Sequence, residues 1–514
     1  MKLYLFLSFL SYSYGYRILC VLPGPTTSHD NLGKGVVNAL LSAGHQVTWV
    51  TAFKQKNVSA NLTIVDVSYL QTIINSVDMS KSSFKTLGVM RKMASDLSLG
   101  ASRSEEFRRL VVEEQFDAVI TVYMMNDFDG GYAAIQGVPW ILLSTWNYHP
   151  HLEWQMDEVR SMTTTPLFTS TTDGSMTFWG RMLNGLAYFG ICADWWFEQS
   201  RLEGLYNTIF TELAAARGVP LPPFTEIQRN VSILLVNSHE SIAPPAVKPP
   251  NVVNIAGYHI DQNPPPLPKD LQDLLDKSSE GVIYFSMGSI LRSSNAISGK
   301  TMSALLCKFA ALKQTVLWKY EEKIEEELPK NVHVRPWMPQ QSILAHPNIR
   351  IFITHGGQLS TLEAVQAGVP LLAIPVFADQ HSNAERARSL GYALKVEYGP
   401  DMADEVGKKL QELLTDQKYY NRAKFLSKLF NARPEKPSKL ISHYIELAIE
   451  TKGAYHLRSL SHRYSWVERW MLDFVLLVLA ALAVLLTLIR LAVKACFRKL
   501  IGKTISSKTD KKNK

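Results

Sequence analysis

A pair of glycines between a predicted strand and a predicted helix is the part of the sequence best suited to bind an anion. His355, Gly356 and Gly357 follow the strand predicted over 351–354 and open a helix that continues through Glu363. Glycines allow a phosphate to approach backbone N–H groups, and the helix dipole adds about half a positive charge at that point. The turn therefore predicts a phosphate cradle, with Glu363 placed to reach a ribose hydroxyl. Taken alone, such a turn is equally compatible with a purely structural role.

A histidine near the start of the chain is the second candidate for chemistry. His29 lies on the loop that follows a predicted strand over Arg17 to Leu22. An imidazole with a pKa near 6.5 suits a general base at neutral pH. A surface or helix-capping histidine would fit the same position, and spacing alone leaves both interpretations open.

The elements around these residues predict an α/β fold with two doubly wound sheets. In the first half, apolar strands alternate with helical patterns, and a stop at Gly44 separates the first helix from the next strand. The same alternation resumes in the second half. The predicted strands are Arg17 to Leu22, Gln46 to Thr51, Ala118 to Tyr123 and Trp140 to Ser144, then Val282 to Met287, Val316 to Lys319, Val332 to Arg335, Ile349 to Thr354 and Leu371 to Ile374. Two such domains facing a cleft place a ligand at the carboxyl ends of both sets of strands.

The length of 514 residues requires more than one domain, because single cores stop growing at about 250 to 300 residues. Eight of the 25 prolines lie between Pro244 and Pro268, which predicts an inter-domain linker. The boundaries predicted are 16–243 for an N-terminal domain, 244–268 for the linker, 269–450 for a C-terminal domain and 451–469 for a juxtamembrane segment. The aromatic-rich stretch 150–222 either lines an apolar pocket or belongs to the core.

The positive charge of the chain is confined to its C-terminal end. The formal net charge is +8, with 54 Lys plus Arg against 46 Asp plus Glu, and the residues from Arg490 onward hold nine basic residues against Asp510. The remaining body is neutral, which argues against nucleic acid as a partner.

An apolar run ahead of this basic end predicts a membrane anchor. Trp470 to Ile489 carries one charge, Asp473, and is long enough to cross a bilayer. The predicted transmembrane helix spans 470–493, and the basic residues of 494–514 place the tail in the cytosol and the body in the lumen.

Three further signals point to the secretory pathway. Residues 1–15 resemble a short signal peptide, although Leu3 to Leu10 could instead be a first buried strand. The terminal Lys511-Lys512-Asn513-Lys514 resembles a dilysine signal for retrieval to the endoplasmic reticulum; the alternative is a basic tail drawn to anionic lipid. Glycosylation triplets begin at Asn57, Asn61 and Asn230.

The cysteines and carboxylates do not suggest a metal site. Cys20, Cys192, Cys307 and Cys496 lie far apart without a CxxC pair, so no structural zinc is expected. No divalent metal is expected from the carboxylates either.

The motif around the glycine turn closely resembles the signature of the UDP-glycosyltransferase (UDP-glucuronosyltransferase) family. The resemblance extends over essentially the whole chain and is closest to the insect branch, with the lepidopteran members as the nearest candidates. The matching residues are Trp337-Met338-Pro339-Gln340, Ile343-Leu344, His346-Pro347, Thr354 to Gly357, Ser360 to Ala364, Gly368-Val369-Pro370, Pro375 and Asp379-Gln380, with Val282 to Ser289 and Asn237-Ser238-His239 upstream and Phe116-Asp117 and Leu359-Ser360-Thr361 as the insect-like features.

The resemblance implies a GT-B fold whose C-terminal domain binds the UDP-sugar and whose N-terminal domain binds an apolar acceptor. The UDP-sugar is a co-substrate, and no permanently bound cofactor or metal is expected. By position, Trp337 and Gln340 hold the uracil, Glu363 the ribose, Ser289, Thr354, His355 and Gly357 the diphosphate, and Asp379 and Gln380 the sugar hydroxyls, with Ser360 in the same donor site. His29, in the family's Ser-His motif, is then the general base.

Two positions depart from the family pattern. Val122 occupies the position at which many relatives carry the acid that orients the histidine, so Asp127 or Asp129 would have to replace it, and Asp127 is preferred. Val236 stands where glucuronosyl members tend to have arginine, which favours UDP-glucose as the donor.

The expected function is therefore an inverting hexosyltransferase that converts small lipophilic alcohols or phenols to β-glycosides at the endoplasmic reticulum membrane, as a monomer or as a homo- or hetero-oligomer. The alternative, which Val122 leaves open, is a catalytically weak relative. Such a protein would bind UDP-sugars or lipophilic ligands, or would act as a partner of active paralogues. A plain surface receptor would not account for the donor motif.

Overall fold

The structure is a computed structural model of the chain, and it describes residues 15–55, 59–75, 87–156, 162–165, 167, 176–244, 246–289, 297, 299–377 and 379–510. The signal-peptide prediction, apart from residue 15, the glycosylation triplet at Asn57 and the dilysine signal lie outside these residues. The described residues up to Arg458 form one compact unit, and those from Ser459 onward form a second.

Parallel strands build the first sheet in the order β3-β2-β1-β4-β5-β6-β7. These strands are β1 Arg17–Val21, β2 Gln46–Thr51, β3 Leu62–Asp66, β4 Ala118–Tyr123, β5 Trp140–Ser144, β6 Val231–Val236 and β7 Val252–Asn254. The order reverses between β1 and β4, and this switch point is where doubly wound sheets bind their ligands.

The second sheet repeats the same plan in the order β10-β9-β8-β11-β12-β13, again with parallel pairing. Its strands are β8 Val282–Ser286, β9 Thr315–Lys319, β10 Val332–Arg335, β11 Ile349–Thr354, β12 Leu371–Ala373 and β13 Ala393–Lys395. Its switch point lies between β8 and β11. The prediction of two Rossmann-like sheets is confirmed.

Helices cover both faces of each sheet, as parallel strands require. In the first half they are α1 Thr27–Ser42, α2 Gln71–Asn75, α3 Leu87–Ser102, α4 Glu105–Glu113, α5 Gly131–Gln136, α6 Pro150–Gln155, α7 Phe178–Arg217 and α8 Phe224–Ile227. In the second half they are α9 Lys269–Lys277, α10 Gly299–Ala310, α11 Gln340–Leu344, α12 Gln358–Ala367, α13 Gln380–Ser389, α14 Met402–Thr415, α15 Gln417–Asn431 and α16 Pro437–Glu450.

Two features cross the boundaries expected from the sequence. The proline-rich segment 244–268 is more than a linker, because it contains β7, whose residues pair with β6 at the edge of the first sheet. An edge position tolerates neighbouring prolines, which a central strand would not.

Helix α16 follows the second domain in sequence but packs into the first, where Ile441, Ile445 and Ala448 join the core beneath α1.

The second unit holds the predicted anchor. It comprises a short helix, α17 Trp466–Arg469, and a long helix, α18 Leu472–Asp510. Within α18, Leu472–Lys499 is long and apolar enough to span a bilayer, and an 18-residue window within it has a mean hydropathy of 2.9.

Candidate active site

One cavity of about 440 Å³ is lined by residues from both sheets of the first unit. The predicted site residues on its wall are His29, Ser289, Trp337, Gln340, His355, Gly357, Ser360, Glu363, Asp379 and Gln380. Thr354, at the end of β11, lies beneath the wall, and Asp127 does not line the cavity. The structure therefore brings together most of the side chains that the sequence placed in one site.

His29 reaches the cavity from the first turn of α1, directly after the switch-point strand β1. Its ring stands against Gly24, where a Cβ would lie only 2.5 Å from the His29 Cβ, so glycine is needed for this approach. The Nδ1 atom of His29 lies 2.7 Å from the hydroxyl oxygen of Thr26, the N-cap residue of α1. Burial lowers the pKa of His29 to about 4, so the ring is neutral at physiological pH.

An apolar niche lies beside the His29 ring. Val122 and His29 line the same small cavity, together with aliphatic side chains such as Leu32 and Leu143. The neighbouring acid Asp30 pairs with Lys34 at 2.6 Å and accepts a hydrogen bond from Gln55. Among the described residues, no carboxylate is hydrogen-bonded to the His29 ring.

Asp127 does not replace the missing acid, which corrects the expectation from the sequence. It begins a short 3-10 helix after β4 and lies against the indole of Trp195 and the guanidinium of Arg91. Burial raises the pKa of Asp127 to about 6. Asp129 is also committed elsewhere, since it accepts hydrogen bonds from Ser98 and Asn126 at 2.8 and 2.6 Å. Both acids that follow β4 therefore have other partners, and the sequence gives no direct sign of those partners.

The glycine turn after β11 opens α12 with the geometry expected of an anion cradle. Gly357 is the N-cap of α12 and provides no side-chain cap, so the first N–H groups of this helix are available to a ligand. The His355 ring fills the space beside two glycines, because a Cβ on Gly357 or Gly288 would lie 2.5 or 2.6 Å from it. Burial, aided by the nearby Lys319, lowers the pKa of His355 to about 4. The His355 ring is therefore neutral at physiological pH, and a neutral imidazole can still donate one hydrogen bond to an anion.

Glu363 projects from α12 and is held by two glutamines of α11. Gln340 donates to one carboxylate oxygen at 2.5 Å and Gln341 to the other at 3.0 Å. Gln340 also donates to the Ser360 hydroxyl at 3.2 Å. Burial raises the pKa of Glu363, while these donors oppose the shift. The residues proposed for uracil and ribose thus form one hydrogen-bonded group.

The pair expected to bind sugar hydroxyls lies at the start of α13. Asp379 accepts a hydrogen bond from Asn383 at 2.7 Å, and burial raises its pKa. The side-chain carbonyl of Gln380 accepts the backbone N–H groups of Val376 and Phe377. This arrangement leaves the amide NH₂ as the end of Gln380 that can donate to a ligand.

The cavity also includes residues that the sequence did not reveal as functional. Lys319, at the carboxyl end of β9, donates to the Gly288 carbonyl at 2.9 Å and pairs with Glu321 at 2.6 Å. Tyr284, from β8, lies on the same wall. Both belong to strands predicted from the sequence, and only their position on the cavity wall marks them.

The described residues contain no group of three or more His, Cys, Asp and Glu side chains that could hold a metal ion. The polar groups of the cavity are instead suited to an organic anion and a sugar.

Solved structures with the same architecture define the class. The glycosyltransferase SnogD from Streptomyces nogalater superposes with a TM-score of 0.55 at 20% identity, covering 84% of this chain and 99% of that one. The spinosyn forosaminyltransferase SpnP gives a TM-score of 0.57 at 18% identity, covering 85% and 99%. The two Rossmann-like domains and their shared cleft are the GT-B fold of glycosyltransferases.

The sequence comparison identifies the family. The protein-family sequence model described as UDP-glucoronosyl and UDP-glucosyl transferase matches residues 21–507. The chain therefore belongs to this family of UDP-glycosyltransferases. UDP-glucosyltransferase 2 of Dactylopius coccus is 31% identical over 96% of this chain and 95% of its own length. Human UDP-glucuronosyltransferase 2B17 is 30% identical over 68% of this chain and 63% of its own length. The family uses its UDP-sugar as a co-substrate and needs no permanently bound cofactor.

Proposed function

We propose that the protein is an inverting glucosyltransferase that transfers glucose from UDP-glucose to hydroxyl groups of small lipophilic acceptors. The observation that supports this proposal most strongly is the shared cavity, which is lined both by His29 from the first domain and by the cradle from the second. A base and a leaving-group site that meet in one cavity are what direct displacement at a sugar carbon requires.

In this mechanism the acceptor oxygen attacks the anomeric carbon from the face opposite UDP. The new bond forms between the acceptor oxygen and that carbon, the bond to the diphosphate oxygen breaks, and the acceptor proton passes to Nε2 of His29. The leaving diphosphate gains negative charge, which the N–H groups at the start of α12 and the His355 ring stabilise. An α-linked donor then yields a β-glycoside.

The charges of the cavity favour a neutral sugar over glucuronate. Glu363 and Asp379 line the wall, and among the described lining residues Lys319 is the single lysine or arginine. Lys319 already pairs with Glu321. Val236, at the end of β6, is fully buried and apolar and offers no cation for a sugar carboxylate. A neutral hexose avoids the repulsion that a carboxylate would meet here.

For cellular placement, we propose a type I protein of the endoplasmic reticulum membrane, with its body in the lumen and its basic tail in the cytosol. The candidate span Leu472–Lys499 and the basic residues after it support this orientation. Glycans at Asn61, which is exposed, or at Asn230 would be consistent with a lumenal body.

A donor and acceptor screen tests the proposal. Microsomes containing the protein would be incubated with radiolabelled UDP-glucose or UDP-glucuronate and a panel of phenols and aliphatic alcohols. We expect glucosides with β configuration by NMR, and mainly glucuronides or α-linked products would contradict the proposal.

A binding protein without turnover is the second candidate, and the apolar niche beside His29 is the observation that favours it. Tight UDP binding by calorimetry without product from any acceptor in the screen would support this candidate instead.

A further inference from the structure

The first half of α7 exposes a continuous apolar stripe to its surroundings. Trp179 and Phe197 are 71% and 73% exposed, although residues of this kind are normally buried. The exposed side chains recur every three or four residues, which places them on one side of the helix. We define the α7 stripe as Phe178, Trp179, Met182, Leu183, Leu186, Phe189, Trp196 and Phe197.

Two acidic residues near the end of the same segment pair with an arginine of the body. Asp194 and Glu198 pair with Arg91, which is only 5% exposed, at 2.5 and 3.5 Å. Between Arg181 and Glu198, Asp194 is the one acidic or basic residue in the sequence. Farther along α7 the pattern becomes ordinary, with Leu202, Ile209 and other apolar residues buried. The exposure of apolar side chains is therefore a local feature of the first half of the helix.

We propose that the α7 stripe inserts its side chains into the interfacial region of a lipid bilayer. Helices that lie in this region expose Trp, Phe and Leu on one side and bury them at the boundary between head groups and acyl chains. The same chain carries a candidate membrane span, so a bilayer is the apolar phase to which the body would be tethered. The stripe has no exposed charge of its own to recognise a charged protein partner, whereas tryptophan and phenylalanine suit a membrane surface.

The chain offers native reporters for a direct test. Cys192 is exposed within the stripe segment, Cys307 is exposed on α10, and Cys20 is buried. A nitroxide would be attached to Cys192 in the full-length C307S/C496S variant, and to Cys307 in the matched C192S/C496S variant. Both proteins would be reconstituted in vesicles of phosphatidylcholine and phosphatidylserine, and collision rates with oxygen and with a water-soluble nickel chelate would be measured.

We expect the oxygen-to-nickel ratio at Cys192 to exceed that at Cys307 by about threefold or more. The W179S/F197S double variant should lower the ratio at Cys192, while F425S/L429S, which changes exposed apolar residues of α15, should not. Equal ratios at the two cysteines would overturn the proposal. Strong coupling between labels on separate copies, lost on dilution with unlabelled protein, would also overturn it by assigning the stripe to self-association.

A second inference rests on the proposed function and concerns the partner of His29. The hydroxyl oxygen of Thr26 lies 2.7 Å from Nδ1 of His29 and 3.3 Å from its backbone nitrogen, and Thr26 is 6% exposed. A hydroxyl oxygen can accept two hydrogen bonds. We infer that Thr26 is a positioning residue: it accepts the Nδ1 proton, which fixes the tautomer whose Nε2 lone pair faces the acceptor.

The geometry explains why a hydroxyl can serve here. Val122 and its aliphatic neighbours exclude a carboxylate from the niche, and Asp127 is directed elsewhere. A hydroxyl orients the ring but brings no charge to stabilise the imidazolium. The opposite arrangement, in which the hydroxyl donates to Nδ1, would leave Nε2 protonated and unable to act as a base.

Three substitutions separate positioning from helix capping. Serine and glycine are both acceptable N-caps, but only serine retains the hydroxyl. Thr26→Ser should keep kcat within about twofold, whereas Thr26→Gly should lower kcat by about tenfold or more with an unchanged KM for UDP-glucose and a similar melting temperature. Thr26→Asp should move the acidic limb of the pH profile upward, because a carboxylate favours the charged imidazolium.

The outcomes also distinguish this inference from the proposed function. If His29→Ala is inactive while Thr26→Gly matches Thr26→Ser, only the role of Thr26 is refuted. If His29→Ala retains full turnover, the base assignment itself fails.

Discussion

The two walls of the cleft place a histidine at the same structural point but surround it differently. His29 follows β1 and His355 follows β11, both at a switch point and beside the start of a helix. Burial lowers the pKa of each ring to about 4. His355 has Lys319 and the open N-terminus of α12 around it, whereas His29 has an aliphatic niche and a single hydroxyl.

This difference shows how one cavity can separate two roles. Neutral imidazole beside N–H groups and a lysine can donate to a diphosphate, while neutral imidazole in an apolar niche can accept a proton from an acceptor hydroxyl. The histidine type alone does not decide the role; the surroundings do.

The largest expected effect comes from removing the base. His29→Ala should lower kcat/KM for the acceptor by about 100- to 10,000-fold, because proton transfer then falls to water. UDP affinity, measured by calorimetry, should stay within about twofold, since the donor residues are on the other wall. His443→Ala, which removes an exposed histidine of α16, is the control and should leave both quantities unchanged. Retained turnover in His29→Ala would show that His29 is not the base, and the proposed difference between the two walls would then be wrong.

The next effect tests the donor wall. Glu363→Gln should weaken UDP binding about tenfold, because an amide cannot accept from Gln340, Gln341 and a ribose together. Calorimetric titration with UDP measures the change, and Glu405→Gln on α14, whose side chain is partly exposed, is the control. An unchanged affinity would exclude Glu363 from the donor site.

A third experiment changes the acceptor wall toward the charged character of its counterpart. In the native protein, His29 is neutral above its pKa of about 4, so kcat/KM should fall only as the pH drops through that value. Val122→Asp places a negative charge beside the imidazolium form of His29. It should therefore move the acidic limb of the pH profile, where kcat/KM falls, upward by about one to three pH units.

Val122→Asn has a similar shape without the charge and should leave the limb near its native position. The pH profile of kcat/KM measures both variants, with melting temperatures as the check on folding. A limb that does not move in Val122→Asp would show that position 122 does not face the His29 ring.

The smallest effect is expected at the acid that the sequence favoured. Asp127→Asn should leave the acidic limb unchanged, because Asp127 lies against Trp195 and Arg91 rather than His29. A downward shift of the limb in this variant would reveal coupling between the two residues and restore the original assignment.

The donor wall could be read from the sequence because its residues lie in one local motif. His355, Gly357 and Glu363 are separated by a few positions on a single strand, turn and helix, so local geometry fixes their relation. The acceptor wall could not be read in this way. Thr26 and Val122 are distant in sequence and meet at His29 only through the pairing of β1 with β4.

The alternation of apolar strands and helices is a local pattern, and it determined the fold class. The glycine turn, the Ser28-His29 pair and the apolar C-terminal run are also local patterns, and they predicted the donor cradle, the base and the anchor. Tertiary structure decided the rest: the return of α16 to the first sheet, the strand within the proline-rich segment, the position of Asp127 and the outward direction of the α7 stripe. The physical reason is that local periodicity reports which side of an element is apolar, whereas the identity of the neighbour on that side depends on chain segments far away in sequence.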